Sequence, residues 1–471
     1  MQRILLFTIF FIFVMCLGEY ASAWTTPINI SHTTGRSELP TVEVDDNNLV
    51  HVIWQDDTLG NNDILYCLNG GGNWTTPLNL SNDQTDSERS DIAIDASGHP
   101  HVVWEDWDLG EVFWTFYDGF SWSSPFNISN TPEHSYCPRM AAGDSGNVFV
   151  VWFDVGEQWD IYFSVYDGSA WSTPQNLTND PVDSAYPDIA IDSKGCVHMV
   201  WMDYGSYDIS YSKYDGNSWS DPVNISQLAG QSVDPKVIID SQDRPHVAWE
   251  QRSTGYHGYY TFYDGGIWQE PMKISDFDPL RVPQIDFDSQ DVLHAVWTAA
   301  GDVGGEAYWN YYAEGSWSVP YNLSNTPDQP SGTPDIGVDL FDILHVSYVE
   351  VYGDNWEIVY TQNCPTGVYS HTSEKVPQLF KLEQNYPNPF NSETTIHYCL
   401  STDKIMLLSI KIYNILGEQV TTLASREHMP GEYTTKWNGK DKNGMSVSSG
   451  IYFYHLRAGN LTATRKMVLI H

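Results

Sequence analysis

Acidic and aromatic side chains stand close together in several variable segments of this 471-residue chain. Aromatic faces pack against the apolar faces of sugars, and carboxylates accept charge-assisted hydrogen bonds from hydroxyl groups. We therefore expect a ligand-binding surface, with a glycan as the favoured ligand and solvation of the loops as the alternative. Its candidate residues are Asp56, Asp106, Trp107, Asp154, Trp159, Asp203, Tyr204, Tyr207 and Tyr256.

The same carboxylates are the type of oxygen ligand that Ca²⁺ prefers, so calcium remains open as a bound ion. No other cofactor or metal is indicated, and no catalytic residue is assigned. The segments follow a regular repeat and contain no isolated polar motif, which favours binding over catalysis. A glycoside hydrolase, a lyase or a sialidase-like enzyme is the alternative, and a protein-binding adhesin is a third interpretation.

These segments recur because the chain is built from repeats. A Trp-containing phrase of the kind Trp219-Ser-Asp-Pro-Val-Asn-Ile-Ser226 returns at intervals of about 50 residues, and His-Val-x-Trp keeps the same period. The first phrase begins at Trp24, Trp74, Trp122, Trp171, Trp219, Trp268 and Trp317. A sustained period of this length indicates a repeat architecture.

Each repeat is predicted to form four strands, here 186–192, 196–201, 208–214 and 219–226. In the fourth strand, alternation places Trp219, Val223 and Ile225 on one face and Pro222, Asn224 and Ser226 on the other. Proline removes a backbone donor, which only an edge strand tolerates, so the fourth strand is expected at the outer edge.

The fold class that follows is all-β: a seven-bladed β-propeller closed by the N-terminal strand, followed by a small immunoglobulin-like β-sandwich. The last repeat lacks a Trp-x-x-Pro strand, and residues 24–31 fit that vacancy. Residues 26–30 are expected to pair antiparallel with the segment around 356–362, and Trp24, Ile28 and Ile30 to pack on the seventh unit near Ile358 and Tyr360. An open solenoid is the alternative.

Two further residues recur once in most repeats, and both are interpreted as structural. The histidines open the second strand at positions 51, 101, 198, 246, 294 and 345, with Phe149 in the third unit. One histidine per blade does not cluster the donors that a metal needs, so hydrogen bonding of a buried side chain is expected. The aspartates at 45, 95, 144, 192, 240, 288 and 339 are expected to cap their own turns.

Charge divides the chain in two. Residues 24–364 hold 10 Lys and Arg against 52 Asp and Glu, a net of −42, whereas residues 365–471 have a net of +3. Such a negative field argues against nucleic acid and anionic membranes, and favours neutral or cationic ligands. Six arginines are scattered over the repeats, at positions 36, 89, 139, 244, 252 and 281.

Residues 1–23 have the pattern of a secretory signal peptide, with Arg3, an apolar run and a small-residue site at Ala21-Ser-Ala23. A membrane anchor is the alternative, and no membrane span is expected after cleavage, because no other stretch is long and apolar enough. Five cysteines remain at unrelated repeat positions, which indicates neither a disulfide framework nor a metal cluster.

The repeats resemble the sialidase-like and lectin-like propellers of secreted bacterial proteins over residues 24–363. The resemblance implies the fold and leaves the activity open. The sialidase Asp-box is absent as such. The segment Asp95-Ala-Ser-Gly98, followed by His101-Val-Val-Trp104, is only remotely similar to it. A linker at 364–376 is expected to follow the propeller.

The C-terminal region, residues 377–471, carries a different set of phrases. Among them are Tyr386-Pro-Asn-Pro-Phe-Asn391, Ile410-Lys-Ile-Tyr-Asn-Ile-Leu-Gly417 and Gly450-Ile-Tyr-Phe-Tyr454. Together they resemble the type A C-terminal sorting domain of the type IX secretion system, which is similar to FlgD-type immunoglobulin-like modules. The resemblance implies a Bacteroidota-like source, the type IX machinery as partner, and a secreted or outer-membrane surface-attached protein. An ordinary accessory β-domain is the alternative.

Overall fold

The computed structural model describes most of the chain as β-structure in two compact units, Met1–Val368 and Tyr369–His471. The described residues are 23–364 and 380–470, apart from 71–72, 144–145, 180, 301–304, 314, 327, 354, 383–384, 386–387, 389, 392–393, 401–405, 415–418, 429–430, 443–444 and 459–460. The predicted leader, 1–23, falls almost wholly outside them. No helix of the length and apolarity that crossing a bilayer requires occurs in this described part.

The described residues of unit 1 form seven antiparallel sheets, numbered 1 to 7 here in the chain order of their first strands. The first strands are Ser37–Val44, Ser87–Ile94, His134–Ala142, Ser184–Ile191, Gln231–Ile239, Leu280–Phe287 and Ser331–Val338. The second strands are Val50–Asp56, Pro100–Asp106, Val148–Val155, Val197–Asp203, Pro245–Arg252, Leu293–Ala300 and Leu344–Tyr352. The third strands are Asp63–Asn69, Glu111–Phe116, Trp159–Tyr166, Asp208–Tyr214, Tyr256–Asp264, Gly305–Ala313 and Asn355–Cys364.

The fourth strands are short because proline interrupts each of them. They are Leu78–Asn79, Phe126–Asn127, Gln175–Asn176, Val223–Asn224, Met272–Lys273 and Tyr321–Asn322, with Ile28–Asn29 completing sheet 7. The two-residue strands Ala23–Trp24, Ile267–Trp268 and Ser316–Trp317 also pair with third strands. The predicted antiparallel pairing of the N-terminal segment with residues 356–362 is therefore confirmed, with Ile28 opposite Tyr360.

The predicted alternation of the fourth strand is wrong. Val223 is exposed, whereas Ile225 and Ser226 are both buried. Pro222 has no backbone donor, so the ladder breaks between the Trp219 bridge and Val223–Asn224. The chain then turns the serine hydroxyl inward, where it accepts a hydrogen bond from the Ile209 backbone amide at 3.0 Å.

Apolar side chains are shared between neighbouring sheets. The second strands are buried almost throughout, and the tryptophans at 54, 104, 152, 249 and 297 are fully buried. One core cluster joins Ile30, Ile358 and Tyr360 of sheet 7 to Val42 and Trp54 of sheet 1. The first strands of successive sheets contact one another, and the first strand of sheet 7 also contacts that of sheet 1.

The repeated histidines are structural, as expected. In sheet 5, Nδ1 of His246 lies 2.5 Å from the hydroxyl of Tyr260, and Nε2 lies 3.1 Å from Asp240. Burial lowers the pKa of His246 to about 4, so the ring is neutral at pH 7. The aspartates cap their turns: Asp45, for example, accepts the backbone amides of Asn47 and Leu49.

Sheet 3 departs from this arrangement at both positions, that of the turn aspartate and that of the histidine. In sheet 1, the amide of Asp45 donates to the carbonyl of Leu49 across the turn. In sheet 3, the amide of Gly143 donates to the carbonyl of Asn147 in the same way, so Gly143 occupies the aspartate position. The assignment of that position to Asp144 was wrong, and Asp144 itself lies outside the described residues. The histidine is replaced by Phe149, so the aspartate and the histidine are lost together.

In unit 2, the residues that the structure describes form two antiparallel sheets. One is formed by Phe380–Leu382, Thr394–Leu400 and Gly431–Trp437; the other by Gln419–His428, Met406–Asn414, Gly450–Ala458 and Leu461–Leu469. Side chains of both sheets share one core, which includes Ile396, Ile410, Trp437 and Tyr454.

Candidate functional site

One face of unit 1 collects the variable segments. The second strands end there, the connections to the third strands lie there, and the first strands begin there; we call it the loop face. Hydrogen bonds join adjacent sheets along it. The amide of Asn62, in sheet 1, donates to Asp86 at 2.8 Å, and the amide of Ser87 donates to the carbonyl of Asn62 at 2.8 Å.

Two of the predicted ligand carboxylates, Asp56 and Asp106, are buried beneath this face. Asp56 accepts a hydrogen bond from the hydroxyl of Ser37 at 2.7 Å, and Asp106 accepts one from Thr85 at 2.6 Å. Burial raises the pKa of Asp106. Both groups therefore tie the end of a second strand to the start of the first strand, and their role as ligands stays a prediction.

Asp154 and Asp203 make related contacts at the ends of their second strands. Asp154 is buried and accepts hydrogen bonds from Ser135 at 2.7 Å and from the indole of Trp152 at 2.9 Å. Asp203 is half-buried and accepts the indole N–H of Trp201 at 2.8 Å. Burial raises the pKa of Asp154. These carboxylates hold buried tryptophans in place, and ligand contact by them likewise stays a prediction.

The predicted aromatic residues of sheets 2 to 4 lie close together. Ring centroids are 5.2 Å apart for Trp107 and Tyr136, 5.9 Å for Tyr136 and Phe153, and 5.8 Å for Phe153 and Trp159. The series continues from Trp159 to Tyr204 at 4.9 Å. Adding two flanking rings, we call this set the aromatic stripe: Trp107, Tyr136, Phe153, Trp159, Tyr186, Tyr204 and Tyr207.

The stripe is anchored at its centre and exposed at its ends. Phe153 is buried, whereas Trp107 is 50% exposed and Tyr204 37%. Exposed aromatic rings that lie side by side are the kind of apolar surface that binding sites use, and the ligand-binding role of these rings stays a prediction. The stripe contains four of the predicted site residues, and it adds three that the sequence interpretation missed.

Two of the three missed rings, Tyr136 and Tyr186, lie in first strands, outside the variable segments. Phe153 lies in the second strand Val148–Val155, at the start of a variable segment. Their signal in the sequence is a substitution within the repeat, since Phe153 occupies a position that is Gln55 or Glu105 in sheets 1 and 2.

Tyr256 lies apart from the stripe, in sheet 5. Its ring centroid is 4.4 Å from the guanidinium carbon of Arg281, in the first strand of sheet 6. This is cation–π geometry. Tyr256 is 37% exposed, so it remains accessible on the loop face.

In every sheet of unit 1, the pairing between the first and second strands shifts register near the start of the first strand. The residues at the shift have φ between 44° and 52°, a strained region for residues other than glycine: Leu39, Arg89, Cys137, Tyr186, Asp234, Val282 and Thr333. In four sheets the preceding sheet accepts the strained amide. Glu105 accepts that of Cys137 at 2.6 Å, for example, and Thr298 that of Thr333 at 2.9 Å.

Two residues after each register shift, the first strand carries a polar or charged side chain in all seven sheets. The sequence interpretation did not identify this recurring position. Its occupants are Thr41, Asp91, Arg139, Asp188, Lys236, Gln284 and Asp335. Three of the carboxylates accept a backbone amide from the next first strand: Asp91 from Met140, Asp188 from Val237, and Asp335 from Val42.

Two more acids follow two residues later in their strands, Glu43 and Asp286. Burial, with the nearby charges of Asp286, Asp335 and Asp91, raises the pKa of Glu43 to about 8, against the pull of Lys236. Burial raises the pKa of Asp286 to about 7 and that of Asp335 to about 6. These side chains share one electrostatic environment among the first strands.

Among the described residues, no group of three or more His, Cys, Asp and Glu side chains is arranged to hold a metal ion. Two grooves open between the fourth strands of neighbouring sheets. One, of about 540 Å³, lies beside Ile30 and Trp74, and the other, of about 680 Å³, beside Ile274 and Trp317. They occupy equivalent places in the repeat.

Residues 384–470 match the family model described as a secretion system C-terminal sorting domain. A type IX sorting domain is thus present, and it indicates a secreted or outer-membrane surface-attached protein. It also supports interaction with the secretion machinery. No curated protein matches the chain in sequence.

Solved structures to which this chain is similar include an oxidase, a polysaccharide lyase and a sialidase. A fungal alcohol oxidase of the AA5 family, in complex with copper, has a TM-score of 0.54 at 11% identity, covering 96% of this chain and 100% of its own. A PL25 ulvan lyase has a TM-score of 0.51 at 11% identity, covering 71% and 95%. The intramolecular trans-sialidase from Ruminococcus gnavus has a TM-score of 0.43 at 10% identity, covering 71% and 95%.

Proposed function

We propose that this chain is a secreted or surface-attached seven-bladed propeller whose loop face binds a polysaccharide. The observation that carries the proposal is the aromatic stripe, in which Trp107 and Tyr204 expose large ring surfaces, Trp107 packed against Tyr136 and Tyr204 against Trp159. Sugar rings bring apolar faces to such surfaces, and rigid aromatic side chains lose little entropy on binding.

The ring closure belongs to the same proposal. Strand Ile28–Asn29 pairs with the third strand of sheet 7, and the amide of Val42 in sheet 1 donates to Asp335 in sheet 7 at 2.8 Å. Both contacts support a closed ring of seven blades over residues 24–363. We further propose a linker at 364–376 and an immunoglobulin-like sorting domain at 377–471, which follows the signal peptide 1–23 in directing export.

A row of rings favours a polymer over a small ligand. Successive centroids lie about 5 Å apart, from 4.9 Å between Trp159 and Tyr204 to 5.9 Å between Tyr136 and Phe153, and the row crosses three sheets. A chain of linked sugars presents several apolar faces in succession, so the exposed rings at the two ends of the row, Trp107 and Tyr204, contribute to one binding event, and the buried Phe153 supports the row from below.

Binding is favoured over hydrolysis by the state of the carboxylates. Asp106 and Asp154 are buried, and each already accepts a hydroxyl hydrogen bond within its own sheet. A hydrolase needs two carboxyl groups that face one cleft about 5–10 Å apart. The adhesin interpretation predicts contact with protein in place of glycan, and the same binding measurement separates it.

The test uses the mature chain, residues 24–471, on a glycan array and then by affinity electrophoresis in gels that contain the polysaccharides it binds. Trp107→Ala and Trp159→Ala are expected to weaken retention by about 10-fold or more each, because each removes a stacking surface. Phe120→Ala is the matched control, since Phe120 is 91% exposed and lies in a hairpin on the opposite face. Retention that survives both tryptophan changes contradicts the proposal.

A further inference from the structure

We propose that the carboxylate of Asp183 positions the rings of Trp159 and Tyr204 for the polysaccharide. This inference rests on the proposed function and identifies the junction between sheets 3 and 4 as a preformed sugar subsite, made of one ring from each sheet. Asp183 is assigned no contact with the ligand, so its role is that of a positioning residue.

The backbone amide of Trp159 lies beyond the fourth-strand ladder of its own sheet. After the fourth strand, the hydroxyl of Thr178 accepts the amide of Ile161 in the third strand at 2.8 Å. Trp159 comes two residues earlier in that strand, so its amide points to the same side and needs an acceptor from outside the ladder. Asp183 supplies the acceptor, with Oδ1 3.0 Å from the Trp159 nitrogen.

The backbone of Asp183 holds the second ring. Asp183 immediately precedes the first strand of sheet 4, Ser184–Ile191, and its carbonyl accepts the amide of Tyr204 at 2.6 Å. One residue therefore contacts the strand ends that carry both rings, and the ring centroids of Trp159 and Tyr204 lie 4.9 Å apart. Trp159 is half-buried and Tyr204 is exposed, so both rings are open to a ligand.

The face opposite the loop face has its own contacts between sheets. At a turn of sheet 5, the carboxylate of Asp243 accepts the amide of Ser193 in sheet 4 at 2.9 Å. Three further turn residues make the same contact with the preceding sheet: Asp291, Asp342 and Asn48. In sheet 4 this turn position is Gly195, which has no side chain to reach sheet 3. The contact of Asp183 on the loop face is therefore not duplicated by this turn.

The equivalent aspartate of sheet 2 makes the same two bonds without a ring on the amide that its carboxylate holds. The carboxylate of Asp86 accepts the amide of Asn62 at 2.8 Å, and its carbonyl accepts that of Trp107 at 2.8 Å. Asn62 and Trp159 both stand two residues before the amide that a fourth-strand hydroxyl accepts. The hydrogen bond alone is thus structural, and the ring of Trp159 gives Asp183 its role in binding.

The test measures retention of the mature chain, residues 24–471, in gels that contain dextran, laminarin, glucomannan or polygalacturonate. In Asp183→Ala the amide of Trp159 loses its acceptor, so the strand end opens more readily and the ligand must order the ring. Retention by the polymers that bind is expected to weaken by about 3- to 10-fold.

Asp183→Asn separates positioning from direct contact. The amide side chain keeps an oxygen that accepts the Trp159 amide, so its retention is expected to stay within about 2-fold of that of the unaltered chain. If the carboxylate itself bound the ligand, the asparagine variant would bind as weakly as Asp183→Ala, and the positioning role would be overturned.

Asp86→Ala is the matched control, because it removes the same kind of bond at the equivalent position and leaves the carbonyl that holds Trp107 in place. The melting temperatures of Asp86→Ala and Asp183→Ala are expected to fall by similar amounts, since both side chains are half-buried. Retention of Asp86→Ala is expected to stay within about 2-fold of that of the unaltered chain. Equal losses of binding in the two variants would indicate a general loosening of the loop face and overturn the assignment.

A double variant shows whether Asp183 acts through Trp159. Asp183→Ala in a Trp159→Ala chain is expected to weaken retention by less than about 2-fold, because the ring that Asp183 positions is already absent. Losses that multiply would overturn the assignment. Hydrogen exchange over residues 155–163, followed by mass spectrometry without ligand, is expected to be faster in Asp183→Ala than in Asp183→Asn or Asp86→Ala, and equal rates would also overturn it.

Failure of this inference is distinguishable from failure of the proposed function. If Trp159→Ala weakens retention and Asp183→Ala does not, the positioning role is overturned while the stripe proposal stands. If no polysaccharide is retained on the gels or on the array, both are overturned.

Discussion

The hydroxyl groups of Thr25 and Thr361 lie 3.2 Å apart, although 336 positions separate them in the chain. The contact belongs to the pairing of the N-terminal strands with the third strand of sheet 7. Sheet 7 is therefore built from both ends of the repeat region, and the stability of unit 1 is expected to depend on the N-terminal segment.

Replacement of Ile30 by Ala tests that dependence. Ile30 is 2% exposed and packs with Ile358 and Tyr360, so its truncation is expected to lower the free energy of unfolding by about 2–5 kcal/mol. Thermal and denaturant unfolding measure the loss. Ile28, on the same strand segment, is 46% exposed, and Ile28→Ala is the matched control, with an expected change within about 0.5 kcal/mol.

Equal losses in the two variants would contradict this assignment of faces. The exposure of Ile28 also corrects the expectation that Trp24, Ile28 and Ile30 all pack on the seventh unit. Trp24 packs on a cluster shared by sheets 6 and 7, with its ring 5.5 Å from that of Trp309 in sheet 6. Ile30 packs with Ile358 and Tyr360, but Ile28 is exposed.

The repeat made the sheets predictable, because a period of about 50 residues and four apolar phrases leave few alternatives. It also made the N-terminal pairing predictable, since the last repeat lacks its fourth strand. The faces of the fourth strand were not predictable: Pro222 breaks the ladder, and the buried hydroxyl of Ser226 replaces the expected apolar alternation.

Deletion of residues 377–471 is expected to leave the repeat domain folded and to stop its export beyond the periplasm, because the sorting domain lies in this segment. Cell fractionation in a host with a type IX system measures the location, and the melting temperature of the purified truncated chain measures folding. Trp107→Ala in the full-length chain is the control and should reach the culture medium or the cell surface. Normal export of the truncated chain would contradict the role of the tail.

The joint loss of aspartate and histidine in sheet 3 predicts that the pair acts as a unit. In sheet 6, Asp288 caps the amides of Gln290 and Val292 and lies 3.4 Å from Nε2 of His294. His294→Phe and Asp288→Gly imitate Phe149 and Gly143. Each is expected to lower the free energy of unfolding by about 1–3 kcal/mol.

The double variant is expected to lose less than the sum of the single changes, by about 0.5 kcal/mol or more, because residues in one hydrogen-bond network are coupled. Urea unfolding of the four proteins gives the cycle. Ile28→Ala combined with His294→Phe is the control pair, since the two sites are in different sheets and are expected to be additive. Additivity of the Asp288 and His294 changes would show that the pair is not coupled.

The acids of the first strands predict a pH dependence with a definite sign. The pKa of Glu43 is raised in the folded chain to about 8, from 4.5. Between these values the folded state binds a proton that the unfolded state has released, so this group's contribution to stability is fully present below about pH 4.5. The contribution is lost as the pH rises through 8, and Asp286 and Asp335 act in the same direction up to about pH 7 and 6.

Glu43→Gln removes this titration while retaining the shape of the side chain. The melting temperature of the variant minus that of the unaltered chain is expected to rise by about 2 °C or more from pH 5 to pH 8.5. Glu157→Gln, at an exposed loop glutamate, makes the same charge change and is expected to run parallel to the unaltered chain. Parallel curves for Glu43→Gln as well would mean that Glu43 is ionised throughout this range, and that Lys236 outweighs burial and the neighbouring Asp286, Asp335 and Asp91.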